Sequence, residues 1–293
     1  MSEQFELFEL PTIEKSFKSL SFRSLQSPVW TENKARLIER YLYYFVLITH
    51  HGNYIDGFAG PQEQDKPETW AAKLVLESKP QWLRKFFLCE QSKKSYDALE
   101  DLEKSQPTIK GRSIHLYPGD FNKSIDKILQ SGLIKEKEAS FCLLDQRTFE
   151  CQWKTLESLA SFTKDRFKIE LFYFLGSGWL HRAISQQTDK SVIDVWWGNN
   201  NWADLQKLPV SRLPDSFCRR FRDELGYRYA VPWPIYERSD GGKVMYHMIH
   251  ATDHEIAPTL MDRSYRKVVQ KKETQEQLQF EFEEWENEHG KAF

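Results

Sequence analysis

Between Tyr54 and Leu175 the chain alternates short apolar runs with segments whose apolar residues recur at helical spacing, which leaves few folds open. Tyr54-Ile55-Asp56 reads as a short strand running into the glycine-containing loop Gly57-Phe58-Ala59-Gly60-Pro61. Ala71–Ser78 is expected to be helical. Lys85–Glu90 reads as a buried strand ending on a carboxylate, and Ser92–Lys104 as an amphipathic helix. Ser113–Tyr117 is a strand, followed by Gly119-Asp120 and a helix over Phe121–Gln130. Ala139–Asp145 is another strand ending on a carboxylate. Trp153–Phe162 is helical, and Ile169–Leu175 is a strongly apolar strand. Apolar strands alternating with helices predict a mostly parallel sheet covered by helices on both faces.

The flanking segments extend this pattern. Thr31 is a good N-cap residue after Pro28-Val29-Trp30, and the segment Glu32–Ile48 carries Leu37, Ile38, Tyr41, Leu42, Phe45 and Val46 at helical spacing. Residues 1–26 lack clear periodicity and read as an N-terminal arm. Residues 176–226 break the rhythm and read as an inserted helical cap, with a helix near Trp179–Gln186 and a polar-aromatic stretch at Trp196–Trp202. The turn signal Ser239-Asp240-Gly241-Gly242 separates Tyr227–Tyr236 from Lys243–Ala251, so these two segments are expected to form an antiparallel hairpin. Glu255–Lys272 looks helical, and a charged tail follows from Glu273. The expected organisation is one α/β, Rossmann-like domain over 27–272, an arm before it and a tail over 273–293.

Composition narrows the function classes. The formal net charge is −2, so no global basic field announces nucleic acid; a local basic face among 41 Lys and Arg residues remains open. Cys89, Cys142, Cys151 and Cys218 form no C-x-x-C pair, so zinc is not expected, and Cys89 and Cys142 read as buried core thiols. Low cysteine usage, the absence of an apolar leader and the absence of a membrane-length apolar run predict a cytoplasmic protein with no membrane partner. His247, His250 and His254 read as structural rather than metal-ligating. Ten Trp residues stand out. Those at Trp196, Trp197 and Trp202, beside Asn199–Asn201, make either a substrate lid or a packed insertion.

In an open parallel sheet, ligands bind outside the carboxyl ends of the strands. The groups expected there are the loop Asp56, Gly57, Phe58, Ala59 and Gly60, then Glu90 with Gln91, Asp120 with Phe121, and Asp145. Their chemistry suits an adenosine. Glycines let a backbone approach a ligand closely, a carboxylate can accept both ribose hydroxyls, and an Asp can accept from an exocyclic amine. The loop lacks G-x-G-x-x-G, which a pyrophosphate wants, and no G-x-x-x-x-G-K-[ST] occurs. A cofactor without phosphates, such as S-adenosylmethionine, fits better. Asp145 would then face the reactive end of the ligand as the candidate catalytic group.

Several of these segments carry a resemblance. W-T-E-N-K at 30–34, Y-I-D-G-F-A-G-P at 54–61, L-L-D at 143–145, W-K-T-L-E-S-L-A at 153–160 and H-M-I-H-A-T-D-H at 247–254 together resemble the three-Cys-motif partner protein family (TcmP), from about Trp30 to Lys267. The resemblance implies a fold like that of class I S-adenosylmethionine-dependent methyltransferases, S-adenosylmethionine binding, and a three-Cys-motif, radical-SAM-like protein as partner. The chain departs from the family at Gln62, where a glycine is usual, and at Asp145-Gln146-Arg147-Thr148, where D-P-F-G is usual. Two functional expectations follow: methyl transfer to an unidentified acceptor, or a non-catalytic scaffold or nucleotide-binding subunit of that partner.

Overall fold

The computed structural model describes residues 34–63, 65–163, 166–238 and 241–269. The N-terminal arm, the Thr31 cap and the charged tail from Glu273 lie outside the described residues.

The first described helix, α1 (Lys34–Thr49), is buried almost all round, as expected of a helix with little polar surface. Then follow β1 (Gly52–Asp56), α2 (Ala71–Glu77), β2 (Leu83–Glu90), α3 (Lys93–Ser105), β3 (Ser113–Pro118), α4 (Phe121–Gln130), β4 (Ser140–Leu144), α5 (Trp153–Ala160) and β5 (Glu170–Leu175). The cap segment holds α6 (Leu180–Gln186), α7 (Lys190–Trp197), two short 3-10 turns and α8 (Leu213–Asp223). The described chain closes on β6 (Tyr229–Arg238), β7 (Gly241–Thr252) and α9 (Ala257–Val269).

The seven strands form one sheet in the order β3-β2-β1-β4-β5-β7-β6. Strands β1 to β5 run parallel, while β7 is antiparallel to both β5 and β6. This strand order and sense define a Rossmann-like, methyltransferase-type fold with a C-terminal antiparallel hairpin. The chain steps outward from β1 to β3, then returns to the other side of β1 to start β4. The crevice between β1 and β4 is therefore the topological switch point.

Successive residues of each central strand enter opposite cores, because side chains alternate across a pleated strand. Ile55, Phe87, Cys89, Cys142, Leu144, Leu171 and Tyr173 face α4, α5, α7 and α8. Tyr54, Phe86, Leu88, Phe141, Leu143, Phe172 and Phe174 face α1, α2, α3 and α9. Two buried faces explain why the sequence shows continuous apolar runs rather than an in-out pattern.

The cap segment is a packed insertion, not a tryptophan lid. Trp196 and Trp197 are only 2% and 6% exposed and lie within the core on the α5 side. Each indole of the cluster has its N–H answered: Trp196 by the Tyr173 hydroxyl at 2.9 Å, Trp197 by Asn201 at 2.7 Å and Trp202 by Asp194 at 2.6 Å. Arg220 of α8 stacks between Trp153 and Trp197, its guanidinium carbon 3.6 and 3.8 Å from the two ring centres. The four cysteines are buried and unpaired. Among the described residues no helix is long and apolar enough to cross a membrane.

Candidate functional site

Parallel strands with helical returns carry the ends of β1, β2, β3 and β4 to one edge of the sheet. Asp56 ends β1 and Glu90 ends β2, paired in register with Pro118 of β3. Asp120 follows β3 and Asp145 follows β4. The acids and the glycine loop singled out in the sequence thus meet on the carboxyl edge, with Asp56 and Asp145 flanking the switch point.

The loop after β1 is docked onto its neighbours through its glycines. Gly60 N–H donates to Glu90 Oε2 at 2.9 Å, and a Cβ on Gly60 would sit 2.4 Å from that oxygen and 2.6 Å from Ser95 Cβ. A Cβ on Gly57 would lie 2.8 Å from the Phe121 ring. Only glycine permits these approaches. The backbone of Ala59 is tied in as well, its N–H donating to Cys89 O at 2.8 Å and its carbonyl accepting from the Trp70 indole at 2.7 Å. The Phe58 and Phe121 rings lie 6.3 Å apart, centre to centre.

The carboxylates have distinct surroundings. Glu90, half-buried, accepts from Gly60 N–H and, through Oε1, from Ser92 N–H at 2.7 Å. Each oxygen engages one donor and keeps acceptor capacity. Gln91 beside it is exposed. Asp120 caps α4, its Oδ1 accepting from the N–H of Asn122 at 2.9 Å and from the Asn122 side chain at 2.8 Å. No described residue bonds its Oδ2. Asp56 is 1% exposed and turned inward, accepting from Phe58 N–H at 3.1 Å and from the Tyr54 hydroxyl at 2.8 Å. Burial pushes its carboxyl up to about 7, helped by the charges of Asp145 and Glu90 and opposed by those two hydrogen bonds.

Asp145 is held by two residues that sequence reasoning did not select as site groups. Lys34 Nζ donates to its Oδ2 at 2.5 Å, and Gln62 Nε2 to the same oxygen at 2.7 Å. The Lys34 side chain is 5% exposed and that of Asp145 9%. Burial alone would push the Lys34 ammonium down, but the charge and hydrogen bond of Asp145 outweigh it, so its pKa ends above the ordinary value. Oδ1 of Asp145 has no bond to a described residue. The next residue, Gln146, is 2% exposed and ties the turn down, donating to Phe174 O at 3.2 Å and accepting from Cys151 N–H at 2.7 Å. Arg147 is exposed, and its backbone N–H donates to Glu150 at 2.7 Å. Lys34 closes the W-T-E-N-K run and opens a strongly apolar helix, which was the signal for it: a lysine so placed is solvated or, as here, paired.

The histidines have structural partners. His250 is fully buried with Nε2 3.0 Å from Glu170 Oε2, and Tyr41 of α1 donates to the same oxygen. His247 lies 2.6 Å from the Ser177 hydroxyl, and burial pushes its ring down to about 4. His254 Nδ1 accepts from Ile256 N–H at 3.3 Å, ahead of α9. No group of His, Cys, Asp and Glu suited to a metal ion occurs among the described residues.

No protein-family model matches the chain, and no curated protein matches it. Among solved structures the chain is similar to a proposed methyltransferase from Thermobifida fusca YX, at 12% identity over 76% of this chain and 81% of that one, with a TM-score of 0.41.

Proposed function

We propose that the chain binds S-adenosylmethionine on the carboxyl edge of its sheet and transfers the methyl group to an acceptor held beside Asp145. The observation that carries this reading is Glu90, a half-buried carboxylate at the end of β2 that two backbone N–H groups fix in place while leaving acceptor capacity. That donor and acceptor set fits an adenosine. Glu90 accepts from the ribose hydroxyls, with Gln91 beside it. Asp120 accepts from the adenine amine through its unengaged Oδ2. Phe58 flanks the ring, Phe121 is buried beneath Gly57 and supports the loop from below, and Gly57, Ala59 and Gly60 hold the loop in place beside Glu90. Asp56 acts beneath the loop, where it fixes Phe58 and Tyr54.

When bound, S-adenosylmethionine supplies an electrophilic methyl group on a sulfonium. The chain then has to hold donor and acceptor in line and exclude water. Asp145 orients the acceptor or takes its proton through Oδ1, while Lys34 and Gln62 fix Oδ2.

Calorimetry with S-adenosylmethionine and S-adenosylhomocysteine tests the reading. Both ligands are expected to bind the wild type. Glu90→Ala is expected to weaken them roughly 10- to 100-fold, the value of one or two hydrogen bonds to a charged group. No binding to the wild type, or equal binding by the variant, sinks the proposal.

A second reading is a non-catalytic subunit docked on a three-Cys-motif, radical-SAM-like protein, as the family resemblance implies. It is favoured by the turn after β4, where Gln146 serves as an internal tie in place of the usual proline. Co-elution with such a protein, combined with no binding of S-adenosylmethionine, decides for it.

A further inference from the structure

The opposite edge of the sheet carries a concave feature. A cavity of about 190 Å³ lies where β2 and β3 begin. By the same kind of measure a single water needs only about 10–15 Å³. It is lined by His50, Trp82, Arg84, Lys110, Gly111 and Arg112 among others, and no lining residue is a carboxylate. Glu90 closes the other end of β2; at about 3.3 Å per residue, the two sites are separated by roughly 20 Å.

The charges around this cavity are unbalanced. Arg84, Lys110 and Arg112 form no ion pair with a described residue, whereas neighbouring Lys85 is paired with Glu138 at 2.7 Å. Arg84 and Lys110 are exposed and free to reach an anion. Arg112 is held in place: its Nη2 donates to Leu76 O at 2.5 Å and its guanidinium lies 4.5 Å from the Phe86 ring centre. Its Nε and Nη1 are buried with no acceptor among the described residues, and burial pushes its pKa down. A fixed cation with unanswered donors is costly unless an anion approaches it. The half-buried Trp82 ring lies 5.9 Å from that of His50, so the cationic wall has an aromatic neighbour suited to a ring-bearing ligand.

We propose that this cavity binds the phosphate group of a small phosphorylated ligand, with Arg84 and Lys110 contacting the anion, Arg112 supplying a fixed positive charge, and Trp82 flanking the group that carries the phosphate. The site is independent of the carboxyl edge and of the function proposed for it.

The test is calorimetry at low salt with inorganic phosphate and with uridine monophosphate, a nucleotide without adenine. Both are expected to bind, and more weakly as sodium chloride is raised. The double variant Arg84→Ala/Lys110→Ala is expected to lose at least tenfold in affinity for both while keeping the wild-type melting temperature, because neither side chain is buried or paired. Saturating S-adenosylhomocysteine is expected to leave phosphate binding unchanged. The nucleotide is expected to bind more tightly than phosphate, because its ring meets Trp82, and equal binding overturns the role given to Trp82. The proposal is overturned by absence of binding of both probes, by undiminished binding in the double variant, or by binding confined to a single-stranded oligonucleotide.

Discussion

Lys34, in the first turn of α1, and Asp145, just past β4, form a buried ion pair at 2.5 Å across 111 residues of sequence. It joins the helix that opens the described chain to the switch point of the sheet. Breaking a buried pair leaves one charge without a partner, at about 3–5 kcal/mol, whereas replacing both partners with apolar residues is often close to neutral. Lys34→Met is therefore expected to destabilise the protein by about that much, and Lys34→Met/Asp145→Leu by much less. Urea denaturation of both singles and the double closes the cycle. Additive losses count against the pair.

Asp56 makes stability depend on pH in an unusual direction. Its carboxyl titrates near 7 in the folded chain, against about 3.9 unfolded. Between these values the folded state binds more protons than the unfolded state, so this group's contribution is present at low pH and is lost as pH rises from about 4 to 7. Asp56→Asn keeps an acceptor for Phe58 N–H and cannot ionise. The wild type is expected to lose stability relative to the variant between about pH 4 and 7. Glu39, also pushed up to about 7 by burial, and His247 titrate in both proteins and cancel in the difference. Parallel pH profiles would remove the buried charge from the explanation.

Gly60 tolerates no side chain without movement of Glu90 and Ser95. Gly60→Ala is expected to cost about 1–3 kcal/mol, as overpacking does. It is also expected to weaken S-adenosylhomocysteine binding, because Glu90 is displaced. A variant of wild-type stability would show that the loop yields freely.

Arg220 is expected to be worth more than its ion pair. Its partner Glu224 is 45% exposed, and such pairs contribute about 1 kcal/mol at most. The guanidinium also lies between two indoles and donates to Trp197 O at 2.8 Å, where a desolvated cation on an aromatic face adds about 2 kcal/mol. Arg220→Lys, which loses the planar stack, should thus destabilise more than Glu224→Gln in urea titrations. The reverse order would refute the stacking account.

The sheet was legible because its strands are buried on both faces and read as unbroken apolar runs, Phe86 to Cys89 and Phe141 to Leu144 among them. The strand-end acids followed from that reading, and α4 begins at Phe121 as its Asp120 cap suggests. Strand order needed the structure, since nothing local says that β4 pairs with β1 rather than with β3. The Trp196–Trp202 stretch was ambiguous because its polar neighbours resemble a loop, while the indoles turn inward and find partners 4–23 residues away. Lys34 and Gln62 escaped notice as site residues because their partner, Asp145, is remote in sequence. Their meaning is tertiary.

The buried bond from Tyr41 to Glu170 acquires a wider sense beside the Lys34–Asp145 pair. Both anchor α1, two turns apart, one at the far tip of β4 and the other near the start of β5. A cylinder coated with Leu, Ile, Phe and Tyr can slide along its own axis with little change in greasy contact. Two polar pins cannot, because sliding by one residue would break the Lys34–Asp145 and Tyr41–Glu170 bonds together. Polar atoms therefore set the axial register of α1, and with it the placement of an ammonium group beside the crevice.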